Sequence, residues 1–209
     1  MIEVQNLNFR YKKDSRILNF PNITLNNSES LLILGRSGVG KTTLLHLLSG
    51  LLSPYHGAVV VDDVAIHELS PKRLDAFRGH HIGIIFQRNH AISTLTVEEN
   101  LRARLFFSGR AINTVVIQQL LESLNIADCI SHRTNELSEG QLQRLGIAMA
   151  VIHSPRVILA DEPTSSLDDE NCMKVIDLLK KQAELNDANL VVITHDQRIT
   201  AHFSKTIFL

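Results

Sequence analysis

The stretch GRSGVGKT at residues 35–42 has residue types and a spacing that could bind a polyphosphate. It satisfies the pattern G-x-x-x-x-G-K-[ST], whose glycines let the backbone wrap closely and point successive N–H groups at an anion. Lys41 would bring a positive charge to the β and γ phosphates, and the Thr42 hydroxyl would hold Mg²⁺. A glycine-rich turn that carries a lysine by chance is the alternative. The residues expected at the phosphates are Gly35, Arg36, Ser37, Gly38, Val39, Gly40, Lys41, Thr42 and Thr43.

A pair of acids, Asp161 and Glu162, follows the aliphatic run VILA. Ligands of open α/β sheets bind outside the carboxyl ends of the strands, so both acids could face a nucleotide. Asp161 fits the role of holding Mg²⁺ through water, and Glu162 that of polarising an attacking water molecule. Two solvated acids at a strand end are the alternative, and the phosphate-binding loop favours the functional interpretation.

The stretch NELSEGQLQR at residues 135–144 allows two interpretations. Ser138 and Gln141 have the spacing of a helix capping box, just ahead of the apolar run LGIAMAVI. Helix N-termini also bind phosphates. The residues alone therefore leave both a helix cap and a nucleotide contact open.

Short aliphatic segments alternate with helical patterns around these residues. Strands are predicted at SLLILG (30–35), GAVVVDD (57–63), HIGIIFQ (81–87), RVILADEP (156–163), LVVITHD (190–196) and KTIFL (205–209). Helical patterns cover 41–52, 96–107, 114–126, 139–152 and 169–185, the last with an apolar side of Val175, Ile176, Leu178 and Leu179. The alternation predicts an α/β fold with a largely parallel sheet, and the mostly helical segment from about Arg88 to Ile152 predicts an inserted subdomain.

Composition and charge set limits on the function. The chain has 209 residues, 44% hydrophobic and 21% charged, which is enough for one domain with a sizeable core. A net charge of -1 and a pI of about 6.8 indicate no broad basic surface for nucleic acid. Cys129 and Cys172 form no metal or redox motif and are expected to be reduced structural thiols of a cytosolic protein. The N-terminus lacks the apolar core of a signal peptide, and no window approaches the roughly 20 apolar residues that span a bilayer.

Six stretches in order, GRSGVGKT, IIFQ, LSEGQ, VILADEP, SSLD and VITHD, resemble the nucleotide-binding subunits of ATP-binding cassette (ABC) transporters. The resemblance covers nearly the whole chain, and the ordered set is far more specific than the phosphate-binding loop alone. It implies a RecA-like P-loop NTPase core of α/β class, a small N-terminal antiparallel β region and an inserted helical subdomain. We expect one domain over 1–209, with core and β region at 1–87 and 153–209 and the helical subdomain at 88–152.

The resemblance also implies roles for single residues. Tyr11 matches the aromatic residue that stacks on adenine, although an ordinary aromatic at a strand edge is the alternative. Gln87 matches a glutamine that contacts Mg²⁺ and the attacking water, against the alternative of an ordinary loop glutamine. Asp168 matches an aspartate that helps two subunits communicate. His195 matches a histidine that hydrogen-bonds the γ-phosphate, the alternative being a partly buried structural histidine.

In this family, the signature LSEGQ closes over ATP bound to a second copy. Ser138, Gly140 and Gln141 would then face the γ-phosphate that the other copy's Lys41 holds, in a head-to-tail dimer bridged by ATP. Glu139 departs from the family pattern, which has glycine there. Its carboxylate suits the helix dipole but would repel a triphosphate, so we expect its side chain to point away. Ser166, where alanine is common, is a milder departure.

The implied function is that of an ATPase subunit that energises a separately encoded membrane permease. Its expected position is peripheral, on the cytoplasmic face of the inner (plasma) membrane, and the chain, which ends at Leu209, is expected to lack the C-terminal domain of some importers. IGIIFQ and LADEPTSSLD resemble the branch that serves lipoprotein release and macrolide export. A soluble ABC ATPase of ribosomes or DNA is one alternative, which the absence of a fused cassette, of a long coiled coil and of a basic pI disfavours. A regulatory subunit with little turnover is another, which the intact Lys41, Asp161, Glu162 and His195 disfavour.

Overall fold

A computed structural model describes residues 1–12, 16–165 and 167–209. Ten strands and six α-helices in these ranges alternate along most of the chain. The strands are β1 Ile2–Phe9, β2 Leu18–Asn19, β3 Ile23–Leu25, β4 Ser30–Leu34, β5 His56–Val61, β6 Val64–Ala65, β7 Ile82–Ile85, β8 Val157–Asp161, β9 Asn189–Thr194 and β10 Lys205–Phe208. The α-helices are α1 Lys41–Leu48, α2 Pro71–His81, α3 Val97–Phe107, α4 Thr114–Ser123, α5 Glu139–Val151 and α6 Asp169–Leu185. None of these helices combines the length and the apolar character needed to cross a membrane.

The central sheet is parallel and has the strand order β10-β4-β9-β8-β7. Every residue of β8 and β9 is buried, because helices or the second sheet cover both faces. Five of the six predicted strand segments, all but GAVVVDD, lie in this sheet. The predicted α/β class with a largely parallel sheet is therefore confirmed.

A second sheet is antiparallel and contains the N-terminal strands. β1 pairs with β2, β3 and β5, and β5 pairs with β6. The predicted strand GAVVVDD belongs here, where β5 ends and a tight turn at Asp62 and Asp63 leads to β6. This sheet is the small antiparallel β region that the family resemblance implies.

Two hydrophobic cores lie on opposite faces of the parallel sheet. On β4, Leu32 and Leu34 pack with α3, α4, α5 and α6, whereas Leu31 and Ile33 pack with α1 and the antiparallel sheet. β8 and β9 divide their side chains in the same alternating way, because successive residues of a strand point to opposite faces. The parallel sheet therefore separates the two cores, and each of its faces contributes side chains to one of them.

The helical segment packs directly on the sheet and has no separate core. α5 crosses β7 so closely that a Cβ atom at Gly83 would lie 2.1 Å from the Ala150 carbonyl oxygen. The apolar residues of α3 and α4 belong to the same cluster as those of α5 and the sheet. The subdomain bounds of 88–152 remain a prediction.

Candidate nucleotide-binding site

The predicted site residues follow four neighbouring strands of the parallel sheet. The loop 35–40 follows β4, His195 follows β9, Asp161 ends β8, and Gln87 comes two residues after β7. Because parallel strands present their carboxyl ends at one edge, these residues converge there. A cavity of about 790 Å³ at this edge is lined by Arg36, Ser37, Gly38, Gly40, Lys41, Thr42, Thr43, Gln87, Glu162 and His195, together with Tyr11, Arg16 and Leu18.

The phosphate-binding loop takes the backbone form that its glycines allow. Gly38 and Gly40 have φ values of 80° and 113°, which a residue with a side chain rarely adopts, and Gly40 is the N-cap of α1. The N-terminus of α1 therefore faces the cavity and favours an anion. The Lys41 ammonium is almost fully buried and donates hydrogen bonds to the carbonyl oxygens of Gly35, at 2.8 Å, and Arg36, at 3.1 Å.

Thr42 and Asp161 form a candidate site for a divalent cation. The Thr42 hydroxyl donates a hydrogen bond of 2.8 Å to Asp161 Oδ2. The second carboxylate oxygen, Oδ1, is buried and has no hydrogen-bond partner among the described residues. Burial raises the pKa of Asp161 above its ordinary value, against the effect of the Thr42 bond. A cation would supply the missing partner for a buried charged oxygen, so these residues fit Mg²⁺.

Glu162 has four donors or cations around its carboxylate. Thr194 Oγ1 donates to Oε2 at 2.7 Å, the His195 backbone N–H donates to Oε2 at 3.3 Å, and His195 Nδ1 lies 3.0 Å from both oxygens. Lys41 Nζ lies 3.3 Å from Oε1. Burial raises the pKa of Glu162, but the bonds from His195 and Thr194 and the charge of Lys41 outweigh it and lower the pKa. The ionised carboxylate can therefore accept a proton at neutral pH.

Tyr11 lies at the rim of the cavity, and its side chain is exposed. Its hydroxyl forms a hydrogen bond of 2.7 Å with Thr43 Oγ1, and its ring contacts Phe9 edge to face. An exposed ring beside the phosphate-binding loop is available for a base to stack on. Arg16 and Leu18 also line the cavity, and neither was predicted because neither belongs to a motif.

The signature and Asp168 lie away from this cavity. Ser138, Gly140, Gln141 and Asp168 are not among its lining residues in the part of the chain that the structure describes. Gly140 and Asp168 instead line a second cavity of about 500 Å³, together with Glu139. One protomer therefore does not bring the signature to its own phosphate-binding loop.

Ser138 forms the helix cap that the sequence predicts. Its backbone N–H donates to Gln141 Oε1 at 2.8 Å, and the Gln141 N–H donates to Ser138 Oγ at 3.3 Å, which completes a capping box at the start of α5. Asp168 caps α6 in a similar way, since its carboxylate accepts from the Asn171 N–H at 2.8 Å. Ser166, the other departure from the family pattern, lies outside the described residues. The nucleotide contacts of Ser138, Gly140, Gln141 and Asp168 remain predictions.

The sequence interpretation missed Thr194, Asp196 and Arg198. Thr194 ends β9 and holds the Glu162 carboxylate, while Asp196 and Arg198 connect the loops that follow β8 and β9. Their positions beside His195 were the only signal available. Their partners are about 30 residues away in the sequence, so spacing could not reveal them.

The glycine-rich loop, the helix that follows it and the acid pair at the carboxyl edge of a parallel sheet define the class of P-loop nucleoside triphosphatases. Residues 18–165 match the family described as ABC transporter. The chain therefore belongs to the ABC transporter family, and it is the ATP-binding and ATP-hydrolysing subunit of this family. The family and the ATPase class that the ordered motifs predict are confirmed.

Three known proteins illustrate the similarity. The lipoprotein-releasing system ATP-binding protein LolD of Shewanella denitrificans is 34% identical over 196 residues, which are 93% of this chain and 84% of that protein. MJ0796, a bacterial ABC transporter cassette solved as a dimer, is 33% identical with a TM-score of 0.87 over 100% of this chain and 94% of its own. MJ0796 has also been solved as a dimer in a post-hydrolysis state with ADP and Pi. The cbiO1 protein of Clostridium perfringens, part of the complex cbiONQ, is 26% identical with a TM-score of 0.88 over 99% of this chain and 83% of that one.

Proposed function

We propose that two copies of this chain close around ATP and thereby drive a separate membrane permease of the lipoprotein-release type. The observation that carries the proposal is the separation of Lys41 from Gly140, because the cavity that Lys41 lines and the cavity that Gly140 lines share none of the described residues. A second copy can supply the missing half of each site. The dimers of MJ0796 and the similarity to LolD support this arrangement.

ATP binds with its phosphates in the loop 35–40 and its base on Tyr11. Thr42, Asp161 and Gln87 would hold Mg²⁺, which neutralises charge on the β and γ phosphates when it is bound. The Lys41 ammonium contacts the same phosphates. The exposed ring of Tyr11 and the buried, unpartnered Oδ1 of Asp161 support these assignments.

Hydrolysis needs an attacking water, a base and groups that stabilise developing charge. Glu162 accepts a proton from the water as the water oxygen attacks the γ-phosphorus. The bond between the γ-phosphorus and the ADP oxygen breaks. His195 and Lys41 stabilise the negative charge on the transferred phosphoryl group. The ionised state of the Glu162 carboxylate and its contacts with Lys41 and His195 support these roles.

The permease would dock in a groove between the loop after β7 and the helices α2, α3 and α5. This groove has a volume of about 540 Å³, and Gln87 and Glu162 are among the residues that line it. Arg104 and the exposed ring of Phe107 line it as well. A protein segment seated there would contact residues next to the reacting phosphate. The chain would then lie on the cytoplasmic face of the membrane.

The proposal is tested with Glu162→Gln. The neutral amide keeps the size of the side chain but cannot accept the proton, so ATP should bind without being hydrolysed and an ATP-bound dimer should accumulate. Size-exclusion chromatography with and without ATP detects the dimer, and phosphate release measures turnover. Glu122→Gln on the exposed face of α4 is the matched control and should hydrolyse ATP at the wild-type rate. Wild-type turnover by Glu162→Gln would show that the base is another residue.

The permease itself is tested by co-purification from native membranes. We expect the tagged chain to recover an integral membrane protein in a fixed ratio, and the ATPase rate to change when that protein is present. Quantitative recovery of the chain without any membrane protein would contradict the transport role while leaving the ATPase assignment intact.

A further inference from the structure

Asp196 and Arg198, which both follow β9, connect this strand to the loop after β8. The Asp196 side chain is only 8% exposed, and its Oδ2 accepts a hydrogen bond of 3.0 Å from Thr164 Oγ1. Arg198 binds the same carboxylate at two points, with Nε 2.9 Å from Oδ1 and Nη2 2.7 Å from Oδ2. This fork-shaped contact fixes the guanidinium in one plane.

Arg198 also reaches the start of α6. Its Nη1 donates to the Leu167 carbonyl oxygen at 3.2 Å and to Asp169 Oδ1 at 2.5 Å. Asp196 and Arg198 together therefore fasten the loop after β8 at Thr164, Leu167 and Asp169. We refer to Asp196 and Arg198 with these three contacts as the loop clamp.

The loop clamp continues to Glu162 through Thr194. The Asp196 N–H donates to Thr194 Oγ1 at 3.0 Å, and that hydroxyl donates to Glu162 Oε2 at 2.7 Å. Thr164, which the clamp holds, is two residues from Glu162 along the chain. Glu162 is thus fixed both by its side chain and by the backbone that follows it.

The backbone of Glu162 needs such support. Its φ of 50° lies in the left-handed region, which is unfavourable for a residue with a side chain. Such conformations persist where the surrounding structure fixes them. The bonds from Arg198 lower the pKa of Asp196 to about 2, so the ion pair of the clamp stays charged throughout the neutral range.

We infer that Asp196 and Arg198 are positioning residues of the hydrolysis reaction, which hold Glu162 in the conformation that directs its carboxylate at the reacting phosphate. The inference rests on the proposed role of Glu162 as the base. Neither residue lines the nucleotide cavity among the described residues, so both act through Thr194 and the loop after β8. Loss of the clamp should affect the chemical step and leave ATP binding by Lys41 and the loop 35–40 intact.

Arg198→Gln in the full chain is the first test, with kcat and KM measured for ATP. We expect kcat to fall about tenfold or more, because small misplacements of a reacting group are costly, and KM to change less than twofold. Arg198→Lys keeps the charge without the fork and should recover part of the loss. Arg102→Gln, which breaks the ion pair between the exposed Arg102 and Glu98 on α3, is the control and should match the wild type. A rise in KM with kcat unchanged would overturn the inference.

A double variant separates positioning from general destabilisation. If Arg198 acts through Glu162, Arg198→Gln should not lower the residual rate of Glu162→Gln any further. A reduction by the same factor as in the wild type would overturn the inference. Thr164→Val, which removes one clamp bond at similar volume, replaces Arg198→Gln if that variant does not fold. Wild-type turnover by Glu162→Gln alone would instead refute the assignment of the base.

Discussion

At the residue scale, the acid pair shows how adjacent carboxylates acquire different chemistry. Burial dominates at Asp161 and raises its pKa, while hydrogen bonds and Lys41 dominate at Glu162 and lower it. Asp161 therefore requires a cation to compensate its charge, whereas Glu162 is held ionised by the neighbouring side chains of the protein. Opposite environments of this kind assign different roles to similar groups.

The lowered pKa of Glu162 gives a prediction for stability against pH. A carboxylate whose pKa falls on folding contributes stability above its unfolded pKa, and the contribution disappears as pH falls through the lower folded value. We expect the difference in unfolding free energy between the wild type and Glu162→Gln to be constant from about pH 7 to the unfolded value of about 4.3, and to change below it. Denaturant titrations across this range measure the difference. If the difference in unfolding free energy had already changed fully at pH 7, the pKa of Glu162 would not be lowered.

Asp161→Asn should stabilise the protein and abolish hydrolysis. The amide removes a buried charge whose Oδ1 has no partner among the described residues, and Asn can still accept the Thr42 bond. The expected gain is of the order of 1 kcal/mol. Thermal unfolding without nucleotide or Mg²⁺ measures it, and Asp128→Asn at an exposed position is the control. Adding Mg²⁺ to ATP should then stabilise the wild type beyond the effect of ATP alone but should add nothing in Asp161→Asn; an equal increment in both would place the cation elsewhere.

At the element scale, the contact between α5 and β7 connects the signature to the sheet. α5 begins at the Ser138 cap and ends against Gly83, so one helix joins the surface that holds the signature to the strand that precedes Gln87. Interiors are close-packed, so such a contact transmits strain between the helix and the strand.

Gly83→Ala tests this contact. A Cβ atom there would lie 2.1 Å from the Ala150 oxygen, so helix and strand must separate at a cost of about 1–3 kcal/mol. Gly79→Ala in α2 is the matched control, because its Cβ would lie 3.5 Å from the nearest atom and alanine favours a helix. Chemical denaturation compares the two variants. Equal stability of both would show that α5 can move away from β7 freely.

The strands and helices were predictable because their signals are local. Aliphatic runs and the capping box at Ser138 and Gln141 identify elements within a few residues, and the ordered motifs place the site at the strand ends. The strand order, the close approach at Gly83 and the partners of Thr194 depend on residues distant in the sequence. Local spacing carries no information on such pairs, so they became visible only in the folded chain.

At the scale of the whole molecule, the proposed nucleotide site is divided between two cavities of each protomer. The phosphate-binding loop and Glu162 line one cavity, while Gly140, Glu139 and Asp168 line another. Two-fold pairing of such surfaces completes both sites at once. In the proposed cycle, nucleotide binding and dimer closure are therefore the same event.

Glu139→Gly tests what the unusual residue of the signature does in that dimer. Glu139 is exposed in the first turn of α5, where a carboxylate gains from the helix dipole. We expect turnover to change less than about twofold, since a side chain directed away from the phosphates adds little repulsion, and the isolated protomer to lose about 0.3–1 kcal/mol of stability. Steady-state phosphate release and ATP-induced dimer formation are the measurements. A large rise in turnover would instead mean that Glu139 restrains closure.

The parallel sheet that separates the two hydrophobic cores has a consequence for engineering. Alternate residues of β4, β8 and β9 serve different cores, so one set of side chains contacts the helical segment and the other contacts α1 and the antiparallel sheet. A chimera could take the helical segment of a relative together with only the sheet residues that belong to the same hydrophobic cluster, such as Leu32 and Leu34. The residues of the opposite cluster, such as Leu31 and Ile33, would keep their native neighbours in α1 and the antiparallel sheet. The surface proposed to contact a permease could then be exchanged while the packing behind the phosphate-binding loop is preserved.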